Sequence, residues 1–143
     1  MKAQSKPTNL RKSAPACPCG HASGYAECCA RYHAGAPAPS AEALMRSRYS
    51  AYALGLADYL LQTWAAETRP APLDLKTAPQ PKWLGLEVRH AEEDGDTAVV
   101  EFIARCKING RAERLHEHSR FVRRRVGNEW HWYYLDGDFP GDG

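Results

Sequence analysis

At Trp83 the hydrophobic period of the chain changes. Upstream, apolar side chains recur every three or four residues; downstream, they alternate one by one through four segments separated by glycine turns. This order restricts the fold. Helices followed by an uninterrupted series of strands with short connections build an antiparallel meander with the helices on one face, the α+β class. LGLEV places Leu84, Leu86 and Val88 on one side, and EEDGD supplies a turn centred on Asp94-Gly95. TAVVEFIARC sets Ala98, Val100, Phe102, Ala104 and Cys106 against Thr97, Val99, Glu101, Ile103 and Arg105. Asn109-Gly110 and Gly127-Asn128 are further turns, flanking ERLHEHSRFV and leading into EWHWYYL.

The upstream part reads as helix. Ser40 is a good N-cap with Glu42 in the first turn, and Ala41, Leu44, Met45, Tyr49, Tyr52 and Leu56 form one stripe ending near Gly55. Asp58 is placed to cap a second, short helix carrying Tyr59, Leu60, Thr63 and Trp64. Pro70, Pro72, Pro79 and Pro81 then interrupt regular structure before the sheet.

Composition narrows the class. A chain of 143 residues, 43% hydrophobic, suffices for one ordinary domain with a small appendage. It has no apolar run long enough for a membrane span. Residues 1–16, MKAQSKPTNLRKSAPA, lack the apolar core of a secretory signal and read as a disordered tail, so a cytoplasmic location is expected. A net charge of +2 gives no argument for nucleic acid, and RFVRRR reads as a solvated strand face. AGAPAP is a Pro-containing linker, which divides the chain into the tail, a small module over 17–36 and an α+β domain over 37–143.

The module holds four of the five cysteines, in CPCGHASGYAECC. In a reducing compartment such thiols are metal ligands or redox groups more often than structural disulfides, and a bond between neighbouring Cys28 and Cys29 is strained. Cys17-x-Cys19, eight residues and Cys28-Cys29 place two pairs of thiolates on two turns, which suits tetrahedral zinc. Gly20 and Gly24 would give the backbone freedom to wrap the ion, Tyr25 a body to pack against, and Arg31 a compensating charge. His21 and His33 are substitute fourth ligands, and a redox pair is the competing reading. Four thiolates leave no open position, so the zinc expected here is structural.

The spacing resembles the SEC-C motif, the zinc-binding tail of the SecA translocation ATPase and other proteins, at every ligand position: Cys17, Cys19, Cys28 and Cys29. Gly-His-Ala-Ser-Gly stands where that motif usually has Gly-Ser-Gly-Lys-Lys. Beyond it, MRSRYSAY, YLLQTW, WLGLEV, HEHSRFVR and WYYLDG occur in the order found in the YchJ family of bacterial proteins, from about residue 17 to 137. The resemblance implies an NTF2-like cone, a curved sheet covered by helices, preceded by a zinc knuckle. Many members carry a second SEC-C motif at the C-terminus, where this chain ends in DGDFPGDG.

Within the α+β part, Arg48 lies inside the apolar stripe, and Glu117 shares a strand face with Leu115, Ser119 and Phe121. An unpaired buried charge is costly, so the two are expected to meet beneath the helix. The pair is either a structural ion pair or the polar floor of a pocket walled by Tyr49 or Tyr52. In the second case Glu117, Arg48 and Tyr52 are the catalytic candidates. His116 and His118 point the other way and could chelate a metal, but the sequence offers no third ligand, so solvated surface is expected. Cys106 reads as a small core residue, and Trp130 with Trp132 as core or subunit interface, with a homodimer in view.

These features favour a binding or adaptor protein that engages a protein partner through knuckle or sheet. The alternative is a small hydrolase or isomerase, or a small ligand held in the cone. The state of the cone distinguishes them: an enzyme needs an open, polar pocket reaching Glu117, and a binding module can have it filled and instead expose an apolar patch or sheet face.

Overall fold

The structure is a computed structural model that describes residues 17–20, 24–71, 73, 75 and 81–139. The expected N-terminal tail and His21 lie outside the described residues. A single turn of 3-10 helix (Tyr25–Glu27) and a short helix α1 (Cys29–His33) precede α2 (Ala41–Leu54) and α3 (Ala57–Gln62). Four strands follow: β1 (Lys82–Asp94), β2 (Thr97–Ile108), β3 (Arg111–Val126) and β4 (Glu129–Asp138). They form one antiparallel meander in the order β1-β2-β3-β4. No helix among the described residues is long and apolar enough to cross a membrane.

Local chemistry accounts for the ends of α2. The Ser40 hydroxyl accepts from Ala43 N at 3.0 Å, and Gly55 leaves the helix in the left-handed region, φ 75°, with Leu56 N donating to Ala51 O. Glu93 on β1 accepts from Ala41 N, fixing the start of the helix to the sheet. Helix α3 begins two residues earlier than a cap at Asp58 would allow: Leu56 occupies the N-cap position and Asp58 lies in the first turn. At the β2–β3 turn both Asn109 (φ 54°) and Gly110 (φ 81°) are left-handed, the pairing a tight hairpin requires.

Three register shifts bend the sheet. β1 is irregular between Trp83 and Gly85 and between Val88 and His90, and β4 is irregular at Leu135, opposite the Arg120/Phe121 step. The first shift corrects the LGLEV reading: Leu84 is 51% exposed, while Trp83, Leu86 and Val88 pack on the core. Trp130 and Trp132 also part company, one 49% exposed and the other buried, though Arg123 lies over both rings. Beyond α3, Ala65 N donates to Tyr134 O and Tyr134 N to Thr63 O, so the segment after the helix closes against β4.

Helix α2 is buried on two sides. Leu44, Met45, Arg48 and Tyr49 face the sheet, while Ser47 and Ser50, outside the apolar stripe, are buried against the cysteine segment. Cys17, Cys19, Cys28 and Cys29 belong to the same buried cluster as Leu44, Val100, Phe121 and Trp132. AGAPAP therefore connects two parts that share one core.

Candidate functional site

The four module thiols converge as the spacing requires. Their sulfurs all lie within 4.8 Å of one another, with Cys19 Sγ 3.6 Å from Cys28 Sγ and Cys28 Sγ 3.9 Å from Cys29 Sγ. Around a tetrahedral ion with bonds of ~2.3 Å, neighbouring sulfurs stand about 3.8 Å apart. The thiols are buried and unbridged. Burial, with the neighbouring thiols, pushes Cys28 up to about 11, and the facing Cys19 thiol together with burial pushes Cys29 higher still. Cys28 and Cys29 become thiolates only beside a cation, and with Cys17 and Cys19 the donor set fits a closed metal site.

The surroundings support that charge balance. Arg31 Nε donates to Cys28 O at 3.0 Å and Arg46 Nη1 to Cys19 O at 3.1 Å. Ser50 Oγ donates to Cys29 Sγ at 3.3 Å and stands 3.5 Å from Cys17 Sγ. Gly20 has the positive φ (91°) that such a wrap needs, whereas Gly24, at φ −68°, takes an ordinary conformation. His33 is no ligand. Its Nε2 lies 2.8 Å from Ser47 O and its Nδ1 2.6 Å from the Tyr25 hydroxyl, so Nε2–H donates to the carbonyl and Nδ1 accepts. It is a strut between knuckle and helix, with its ring edge-on to Tyr59.

Burial holds the His33 pKa below its ordinary value of 6.5, against the opposing effect of the Ser47 contact. The unfolded chain therefore binds this proton more readily than the folded one. The strut's contribution is complete above pH 6.5 and is lost as the pH falls through the lower folded value. Denaturant midpoints should decline below pH 6.5, and in His33→Gln the decline should be shallower.

The second feature is a cavity of about 280 Å³ between α2 and the concave face of the sheet. Tyr49, Tyr52, Trp64, Trp83, Phe102 and Tyr134 are among the aromatic residues of its wall, with Arg48 and Glu117 the charged residues. Leu115 and Phe139, 40% and 66% exposed, line it where it meets solvent. The cone is open, and it reaches Glu117.

Arg48 and Glu117 share this cavity without an ion pair. Arg48 is 5% exposed; its Nη1 donates to Leu60 O (2.8 Å) and Thr63 Oγ1 (2.7 Å), and its guanidinium lies over the rings of Trp64 and Tyr134. Glu117 Oε2 accepts from Ser119 Oγ (2.8 Å) and Tyr134 Oη (3.0 Å). Tyr134 thus stands between the two charges, and the direct contact expected from sequence is replaced by an aromatic bridge. Burial and the adjacent carboxylate raise the Tyr134 phenol pKa, which keeps it a donor to Glu117. Burial likewise raises Tyr52, against the opposing pull of Arg48.

Gly137 makes room for this arrangement. A Cβ there would meet Glu117 Oε2, so any side chain would expel the carboxylate from its place. Sequence reading missed Gly137 because the β4 bulge sets its register. It missed Ser47 and Ser50 because their burial depends on a neighbour outside the helix. It missed Trp64 as a wall residue, although this is the one buried side-chain donor, through Nε1, left without a partner among the described residues.

Residues 40–137 match the family model for the YchJ middle NTF2-like domain. The chain belongs to the YchJ family. A UPF0225 protein of Bordetella parapertussis is 54% identical over 130 residues, covering 88% of this chain and 94% of that protein. One from Xanthomonas campestris pv. campestris is 57% identical over 122 residues, 84% and 92% of the two chains. Two solved structures share the fold, both described as SEC-C motif containing proteins. The solution structure from Rhodopseudomonas palustris has a TM-score of 0.73 at 36% identity and covers 86% of this chain and 97% of that one. The crystal structure from Psychrobacter arcticus has a TM-score of 0.72 at 32% identity, covering 89% and 83%. The YchJ-family fold and the knuckle thus bear out the α+β, NTF2-like reading.

Proposed function

We propose that this YchJ-family chain is a small-molecule-binding protein whose cone is held in shape by a structural zinc on Cys17, Cys19, Cys28 and Cys29. One observation carries the ligand reading. In an open aromatic cavity, Glu117 is fixed through Oε2 by Ser119 and Tyr134, while its Oε1 has no hydrogen bond among the described residues. A carboxylate with one oxygen anchored and one free is an acceptor for a ligand that pairs an apolar body with an amine or hydroxyl. Tyr52 and the tryptophans supply the apolar wall, and Arg48, stacked and hydrogen-bonded in place, offsets the anion.

Catalysis ranks second. Glu117 has the position of a general base, but the cavity wall is chiefly aromatic and carries no nucleophile–histidine pair among the residues that line it. An adaptor that presents the knuckle to a protein partner is less favoured, because the thiols are buried against α2. Zinc is favoured over other ions by the four-thiolate donor set, which leaves no position for chemistry.

Benzylamine is a suitable probe. Of the four tryptophans, Trp64 and Trp83 line the cone and Trp130 and Trp132 do not. In ¹H–¹⁵N spectra, benzylamine should shift the indole signals of Trp64 and Trp83 and leave the other two in place. Leu115→Trp, at the exposed rim, should weaken that response while the protein stays folded. Shifts confined to Trp130 and Trp132, or none at millimolar probe, would contradict the ligand reading.

A further inference from the structure

The side of the sheet turned away from the cone carries a different cluster. Strand alternation sends Glu117 and Ser119 into the cavity and His116 and His118 to the opposite face. The β2–β3 register then sets Glu101 directly across from His118 and two pairs away from His116, which stands opposite Ile103. A third ligand, absent from the sequence reading of the two histidines, is thereby supplied from the neighbouring strand.

The three side chains are aimed at one point. His116 Nε2 is 2.6 Å and His118 Nε2 3.4 Å from the same oxygen, Glu101 Oε2, and all three ligand atoms fall within 4.8 Å of one another. Adjacent ligands on an ion with bonds of 2.0–2.2 Å lie roughly 2.8–3.6 Å apart, so small side-chain rotations suffice to admit one. The imidazoles are edge-to-face, with ring centroids 5.7 Å apart, which lets both Nε2 atoms point inward without stacking. Their side chains are 16% and 42% exposed and that of Glu101 28%, so one side of the cluster meets water.

The cation next to His118 is already neutralised. Arg120, next on the same strand face, binds Asp136 at 2.6 Å and Asp138 at 2.8 Å. Asp138 also stands opposite His118 in the β3–β4 register, which adds negative potential on that side. A metal cation would therefore meet two imidazoles, one carboxylate and a compensated arginine.

We infer that Glu101, His116 and His118 form a second metal site, open to solvent, which takes an exchangeable first-row divalent cation. Nitrogen donors with one carboxylate suit zinc, nickel or cobalt; calcium and magnesium want oxygen alone, and soft monovalent copper wants sulfur. Three protein ligands on an exposed face leave at least one position for water, unlike the closed thiolate site. The site rests on neither the ligand in the cone nor the identity of the ion in the knuckle.

Nickel tests this directly. Titrated with Ni²⁺ and followed by calorimetry and by proton NMR of the imidazoles, the protein as purified should bind one equivalent in the micromolar range. Paramagnetic broadening should strike His116 and His118 first, ahead of His131, which is paired with Glu129 on its own strand. His118→Gln should weaken binding at least tenfold, Glu101→Gln about tenfold, and His131→Gln not at all. All these side chains are partly exposed, and an unchanged melting curve confirms each fold. Ni²⁺ binding that persists in His118→Gln, broadening that begins elsewhere, or no binding below millimolar would overturn the assignment.

Discussion

Stripping the metal proposed for the four thiols with a strong chelator, or replacing Cys29 by Ser, is expected to lower the melting temperature of the whole chain by roughly 10 °C or more. The reason is packing. Cys29 is fully buried, its sulfur accepts from Ser50 on α2, and the four thiols sit in one cluster with Leu44, Val100 and Phe121. Without the ion, four buried sulfurs lose their common partner, and the second face of α2, with Ser47 and Ser50, loses its cover. A loss of about 3 kcal/mol already gives that shift for a domain of this size, and structural zinc in small motifs contributes more. Far-ultraviolet circular dichroism and tryptophan fluorescence should melt together at the lower temperature. An unchanged tryptophan transition would mean that the knuckle is an independent appendage.

Arg48→Met is expected to cost about 2–3 kcal/mol, read as a lower urea midpoint with an unchanged slope. Two effects oppose each other. Removing a buried charge relieves its desolvation, which by itself can stabilise. Against that, Leu60 O at the end of α3 and Thr63 Oγ1 lose their donor, and Trp64 and Tyr134 lose the cation between them. An orphaned buried carbonyl costs roughly 1–3 kcal/mol and each desolvated cation–π contact about 1–2, so the losses prevail. Arg48→Lys should recover little of it, since an ammonium cannot lie flat between two rings while reaching both acceptors. A midpoint equal to or above that of the unchanged protein would show that desolvation dominates.

Much of this architecture is legible in the sequence because its signals are local. Hairpin turns such as Asn109-Gly110, the Ser40 cap and the alternation from Thr97 to Val100 each depend on neighbours a few residues away. The thiol spacing is local too, and the structure brings together the four sulfurs it selects. What escapes is set by contacts distant in the chain. The bulge at Leu84 exposes a leucine that alternation places inside, and the bulge at Leu135 brings Gly137 against Glu117. Burial of Ser47 and Ser50 needs the knuckle to be docked. Arg48 and Glu117 do reach the same cavity, as their faces indicate, but Tyr134 and Thr63, from other elements, take the contacts that a direct ion pair would have made. Glu101 joins the two histidines only through strand register, which no single segment reveals.

The claim that Glu117 is the anchor of a ligand-binding cone is tested most directly by titrating benzylamine and toluene into the unchanged protein and into Glu117→Gln. The two probes share a ring, and only one carries the donor. Replacing the carboxylate by its neutral isostere should weaken benzylamine about tenfold and leave toluene as it was, because a hydrogen bond to a charged acceptor contributes roughly 1.5–3 kcal/mol. Equal affinity for benzylamine in both proteins would contradict that anchor and leave the cavity an apolar space without the role assigned to it.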